Sequence, residues 1–339
     1  MNTIAFALAG LGGFNAHGAG FLAAASKCDV VPDLVTATSG QIVVLGDWLQ
    51  GKDLEKSLVI PELEQNPMAQ LAIAFSGDHG VFRPAYPEML QRWFKPLSPS
   101  GNLLEEFFDR AFPAQLYVPT RPAADFSNIA KVFNDKDDMG IVVNAYNLKT
   151  GRPVLFGNPK AHKLWTPQKS NKVATRSVGE LDDPEVELKL QPITAEAVQS
   201  ALWLSLYGFS HLPQPHLIDG VYDRSCIVSE LHEFDRIFVA RPLAQGWLEK
   251  GGPSNWFEVQ DWQTEMWFSA SYKAEVDALN QINGLVHDKK LQDPGYKEVK
   301  LIEIAPKTPA GFFNYFIERK DIYKRAYELA VEKFLDPGR

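Results

Sequence analysis

The chain has 339 residues, 45% of them hydrophobic and 22% charged, the proportions of a globular protein, which exclude a disordered tail, a coiled coil or a collagen-like fibre. With 34 Lys+Arg against 42 Asp+Glu the formal charge is −8, and no dense Lys/Arg cluster offers the basic stripe that nucleic-acid phosphates require. Two cysteines, Cys28 and Cys226, are too few for a disulfide framework or a cysteine-only zinc site.

Residues Thr3 to Ala9 (TIAFALA) are a short apolar run closed by Gly10, which predicts a strand buried on both faces of a parallel sheet. An export signal fits this segment less well. No Lys or Arg precedes Lys27, and the centre is rich in glycine, which disfavours an apolar helix. The loop Gly10-Leu11-Gly12-Gly13-Phe14-Asn15 leads into a small apolar helix over 16–27. Pro32 to Ala37 reads as a second strand, and Ser39-Gly40-Gln41 opens a helix with Ile42, Leu45, Gly46 and Leu49 on one face. Strand, glycine loop, helix, strand, tight turn, helix is the opening of an α/β protein.

Residues 52–138, rich in proline and aromatics, read as a helical insertion or cap within a single domain spanning 1–339. Gly140–Tyr146 and Pro153–Phe156, joined by Asn147–Gly151, predict a hairpin. A helix follows over 194–207 with Thr194 as its N-cap. His216 to Gly220 is a short strand ending in a turn, and 236–240 is a core strand. The tail holds a strand at 299–304 and a helix near 316–335. In that helix Ile322, Ala326, Leu329 and Ala330 share a face. No stretch approaches the ~20 apolar residues of a membrane span, which leaves peripheral contact with a lipid surface open. The free cysteines and the poor export signal predict the cytoplasm.

Three features carry chemistry. Ser39 stands between an apolar strand and a helix, where a sharp turn projects a hydroxyl from the sheet and a helix N-terminus favours developing negative charge. The alternative is that Ser39 merely caps the helix. Gly10, Gly12 and Gly13 let backbone N–H groups approach a ligand, and those of Gly12, Gly13 and Phe14 can form an oxyanion hole. A dinucleotide loop needs a third glycine where Asn15 stands, and an acid at the end of the second strand, which reads Thr36-Ala37-Thr38. Asp219-Gly220 alone predicts only a turn.

Their order is more specific. Gly10-Leu-Gly-Gly-Phe-Asn, then Pro32-Asp-Leu-Val-Thr-Ala-Thr-Ser39-Gly40, then Val143-Asn-Ala-Tyr-Asn-Leu-Lys-Thr-Gly151, then Leu217-Ile-Asp219-Gly220-Val, then Glu233 to Ala240 resembles the sequence of motifs in patatin-like phospholipases. The resemblance implies a three-layer α/β/α fold with a mainly parallel sheet and a helical cap. It implies a Ser–Asp dyad of Ser39 and Asp219, supported by Gly40 and Gly220, with an oxyanion hole from Gly10, Gly12, Gly13 and Phe14. The substrate is then a fatty-acyl ester of a phospholipid or neutral lipid, and no metal or cofactor is required. The chain departs from the family in having Ala37 and Gln41 for the elbow glycines, Phe14 or Asn15 for the loop's basic residue, and Val221 after Asp-Gly. These departures motivate the alternative of a weak or inactive patatin-fold protein that binds lipid or a partner.

A Ser-His-Asp triad is the competing chemistry. None of the seven histidines has a setting that marks it as a base. His216 would face away from Asp219 in a strand, and His17 reads as packed. No zinc spacing is present. Trp247, Trp256, Trp262 and Trp267 read as core and cap packing, or as an aromatic lip for acyl chains.

Overall fold

In a computed structural model, residues 3–10, 15–58, 82–94, 96, 102–111, 115, 117–165, 189–244, 252–292, 296–306 and 320–336 are described. The apolar runs become strands β1 (Ile4–Leu8), β2 (Leu34–Ala37), β5 (Gly140–Asn147) and β9 (Arg236–Ala240). Lys300–Ile304 forms β10. These five pair in parallel in the order β10-β9-β1-β2-β5. Beyond β5 the sheet becomes mixed. β6 (Arg152–Gly157) returns antiparallel as the predicted hairpin, and the two-residue β7 (Gln191–Pro192) lies along it.

Alternation along each strand feeds two cores. Phe6, Leu8, Val35, Ala37, Ile141 and Val143 face one side. There they meet α1 (Asn15–Lys27), α2 (Gln41–Leu49), α6 (Ala123–Asn134), α8 (Ala195–Ala201) and α10 (Lys320–Leu335). Ala5, Ala7, Leu34, Val142, Ile237 and Val239 face the other side. They are covered by α7 (Pro159–Leu164) and by Tyr272 and Leu279 of α9 (Trp256–His287). The result is a three-layer α/β/α protein with a mostly parallel sheet.

Local signals explain several boundaries. Thr194 caps α8, its side chain accepting from Ala197 N at 3.1 Å. The helix expected over 194–207 stops at Ala201, and a 3-10 turn occupies Ser205–Tyr207. Asn158 caps α7, and its carboxamide also receives Ile141 N and donates to Phe133, Lys136 and Met139 carbonyls. His216 is not in a strand. It precedes β8 (Leu217–Asp219) in a left-handed turn at φ 65°.

The stretch 52–138 contains α3 (Leu54–Leu58), β3 (Phe82–Pro84), α4 (Tyr86–Trp93), α5 (Leu103–Ala111), β4 (Tyr117–Pro119) and α6. β3 and β4 pair as a separate antiparallel ladder. Tyr86, Leu90, Trp93, Leu104 and Phe107 are exposed on α4 and α5, whereas Phe126, Ile129 and Phe133 of α6 are buried in the core. The 32-residue α9 was not expected. Trp256, Trp262 and Trp267 are exposed on it; Trp247 lies outside the described residues. Both cysteines are free. Among the described residues, no helix is long and apolar enough to cross a membrane and no cluster of His, Cys, Asp or Glu could hold a metal.

Candidate active site

Ser39 follows β2 in the left-handed region at φ 55°, a conformation costing a non-glycine residue about 1–2 kcal/mol. The turn is held because Thr38 N donates to Leu8 O of the neighbouring strand at 3.2 Å, and the Ser39 carbonyl accepts from Ile42 N of α2 at 2.9 Å. The Ser39 hydroxyl does not cap the helix. The N-cap is Gly40, with no side-chain hydrogen bond. The hydroxyl instead donates to Asp219 Oδ2 at 2.6 Å. Ser39 is 2% exposed and Asp219 0%, so this contact is sealed from bulk water in its ground state.

Main-chain register brings the two together across the sequence. Ala37, the last residue of β2, stands opposite Val143 of β5, and Asp219 of β8 stands opposite Ala145. β8 therefore continues along the later part of β5, two positions beyond the end of β2. At about 3.3 Å per residue that places Asp219 roughly 7 Å past Ala37, where the turn carries Ser39.

Small residues allow the convergence. A Cβ on Gly10 would stand 2.7 Å from Ser39 Cβ and closer still to the Thr38 carbonyl, so the strand-one loop can pass under the elbow only as glycine. The bulk of Gln41, where the family pattern has glycine, is accommodated across the interface by Gly18 of α1, whose missing side chain the Gln41 carboxamide occupies. Asn15 is buried with its carboxamide against Gly40. At this position the chain thus presents a neutral amide to the turn.

The Asp219 carboxylate accepts from Ser39 and, through Oδ1, from Val221 N at 2.9 Å. Its own N–H donates to Trp203 O at 3.0 Å. Burial raises its pKa to about 7, outweighing the lowering by the Ser39 and Val221 hydrogen bonds. A base poised near neutrality is suited to taking a proton from a hydroxyl. Gly220 fits against the Asn144 carboxamide, which donates to Arg224 O at 3.0 Å.

The predicted glycines divide. Gly10 N–H already donates to Ser225 O at 2.8 Å, so its part is close approach and not oxyanion donation. Gly12, Gly13 and Phe14 lie outside the described residues. His17 is buried with Nε2 2.9 Å from Ile304 O, and burial lowers its pKa to about 4 despite that hydrogen bond. It is a neutral packing residue. His232 stacks on Tyr296 with Nδ1 at Ser229 O.

Beside Ser39 opens a cleft of about 460 Å³ that includes space open to solvent, with Ser39 and Gly40 at one wall. Its other lining is Val43, Pro119, Arg121, Phe126, Leu202, Leu204 and Tyr207, an apolar trough with one charge. Sequence motifs did not point to these residues. Leu202, Leu204 and Tyr207 reach the cleft because α8 unwinds after Ala201.

No known protein-family model matches the chain, and no curated protein sequence matches it. Among solved structures it is similar to VipD from Legionella pneumophila, with 12% identity and a TM-score of 0.33 over 98% of this chain and 66% of that one. It is also similar to human GIVD cytosolic phospholipase A2, with 12% identity and a TM-score of 0.35 over 97% of this chain and 60% of that one. The chain thus spans less than two thirds of the length of either.

Proposed function

We propose that the chain is a serine lipid acyl hydrolase of patatin type that cleaves fatty-acyl esters through Ser39 and Asp219. One contact carries this reading: a buried serine at a strained strand-to-helix turn donates at 2.6 Å to a buried carboxylate poised near neutrality. Ser39 Oγ attacks the ester carbonyl while Asp219 takes its proton. The protonated Asp219 then hands that proton to the departing alkoxide, leaving an acyl-enzyme. Asp219 next deprotonates a water that attacks the acyl carbonyl, and Ser39 is regenerated. In this reading the backbone N–H groups of Gly12, Gly13 and Phe14 hold the tetrahedral oxyanion, each donor worth ~10²–10³ in rate. Val43, Phe126, Leu202 and Leu204 accept the acyl chain. The exposed aromatics of α4 and α5 suit contact with a lipid surface or micelle.

Fluorophosphonate labelling followed by intact mass tests the proposal. Wild type should gain one adduct. Ser39→Ala should gain none, and Asp219→Asn should label at least ~10²-fold more slowly. Because Asp219 must be ionised to act, the wild-type labelling rate should rise with pH through about 7. Absence of an adduct on folded wild type, with micelles present, overturns the proposal.

A further inference from the structure

The strand-one loop brings no cation to the nucleophile: no Lys or Arg precedes Lys27, and Asn15 packs a neutral carboxamide on Gly40. The cleft nevertheless contains a charge. Arg121, just after β4, is the only charged residue among the described residues that line it, and it shares that lining with Ser39 and an otherwise apolar wall. Its recorded ion pair, to Asp125 one helical turn on, is long at 3.5 Å, and both side chains are partly exposed. Such a long, partly exposed pair is weak. The guanidinium, a fork of five donors, therefore retains most of its capacity for an anion. A desolvated apolar wall beside a solvent-accessible cation matches an amphiphile with its acyl chain inward and its anion at the rim.

We propose that Arg121 is the headgroup-recognising residue of the cleft and that it binds the phosphodiester of a glycerophospholipid, selecting phospholipids over neutral acyl esters. This rests on the Ser39–Asp219 reading for the orientation of the acyl ester. Asp125 opposes the same anion from the adjacent turn and so tempers the affinity.

The test is equilibrium binding by calorimetry to Ser39→Ala protein, which cannot turn over. The probes are monomeric dihexanoylphosphatidylcholine, dihexanoylglycerol with the same acyl chains, and inorganic phosphate. Adding Arg121→Gln should weaken phosphatidylcholine binding about tenfold, as for loss of a charged hydrogen bond, and shift dihexanoylglycerol by less than threefold. Asp125→Asn should tighten phosphatidylcholine binding two- to threefold, in keeping with the small energy of an exposed pair. Equal loss for both lipids, no loss for either, or no lipid binding at all overturns the assignment. Inorganic phosphate binding as tightly as the lipid, and dependent on Arg121, would replace the headgroup with a free anion. A fluorophosphonate adduct on wild type reports on Ser39 separately, so failure of the Arg121 assignment is distinguishable from failure of the hydrolase reading.

Discussion

Asp219, fully buried, and Arg224, mostly buried, stand on one short stretch of chain, yet their surroundings treat charge in opposite ways. Arg224 is clamped between Glu230, which it grips with both Nη atoms, and Glu275 of α9 at 2.6 Å. Burial opposes the guanidinium's charge, but the two glutamates outweigh it and hold its pKa well above the ordinary value. Burial likewise raises the Glu230 carboxyl, and Arg224 more than reverses that. Asp219 has no cation among its recorded partners, only a hydroxyl and an amide. A buried charge that is matched becomes a fastener; one that is half matched has the setting that the proposed base requires.

The sharpest way to break this comparison is Arg224→Met. It leaves two buried carboxylates facing each other, and should cost about 3–5 kcal/mol of stability, seen as a large fall in the thermal midpoint. Glu275 is also bonded to Ser229 N at 3.1 Å, so the loop following Asp219 should loosen in the same variant.

Asp219→Asn should act with the opposite sign. The folded-state pKa of Asp219 is raised from 3.8 to about 7, so the folded protein holds this proton more tightly than the unfolded chain. The penalty for ionising it is absent below pH 4, grows between 4 and 7, and is complete above 7. Asn carries no such penalty. The variant should match wild type at pH 4 and exceed it by a few kcal/mol at pH 8, measured by denaturant melts at the two pH values, while labelling at Ser39 collapses. An unchanged difference across that range would show that Asp219 is not the titrating group.

The smallest effect is that of Glu230→Gln. It leaves Arg224 paired with Glu275 and should cost about 1–3 kcal/mol, with fluorophosphonate labelling within a few-fold of wild type. That separates the fastener from the proposed base by a conservative change.

The central sheet was legible because β1, β2, β5 and β9 are short, mostly apolar runs, interrupted only by residues such as Thr36 and Asn144. The Ser39–Asp219 contact was legible only as an ordered set of loose motifs, each of which alone had an ordinary reading. What escaped has physical causes. Along α9 the buried Phe268, Tyr272 and Leu279 share the inward side with the buried polar Glu265 and Ser269, while three tryptophans face outward. Hydrophobicity therefore shows little of the 3.6-residue period that signals a helix. The β3–β4 ladder includes Pro84 and Pro119, residues that argue against a strand. The resemblance implied Gly10 as an oxyanion donor, but its N–H is engaged by Ser225, more than two hundred residues away in the chain. Arg121 and Tyr207 belong to no motif; only folding sets them in the cleft.

The proposed base, Asp219, is carried by a strand of three residues, β8, attached along one edge of β5. That ladder joins only three residue pairs, so its opening is expected to cost less than unfolding the sheet that holds Ser39. The two residues of the proposed dyad thus belong to segments expected to differ in durability. Amide exchange should release the N–H of Asp219 long before those of β1 and β2. On warming, the protein should pass through a range in which its scaffold persists while the hydroxyl has already lost its acceptor.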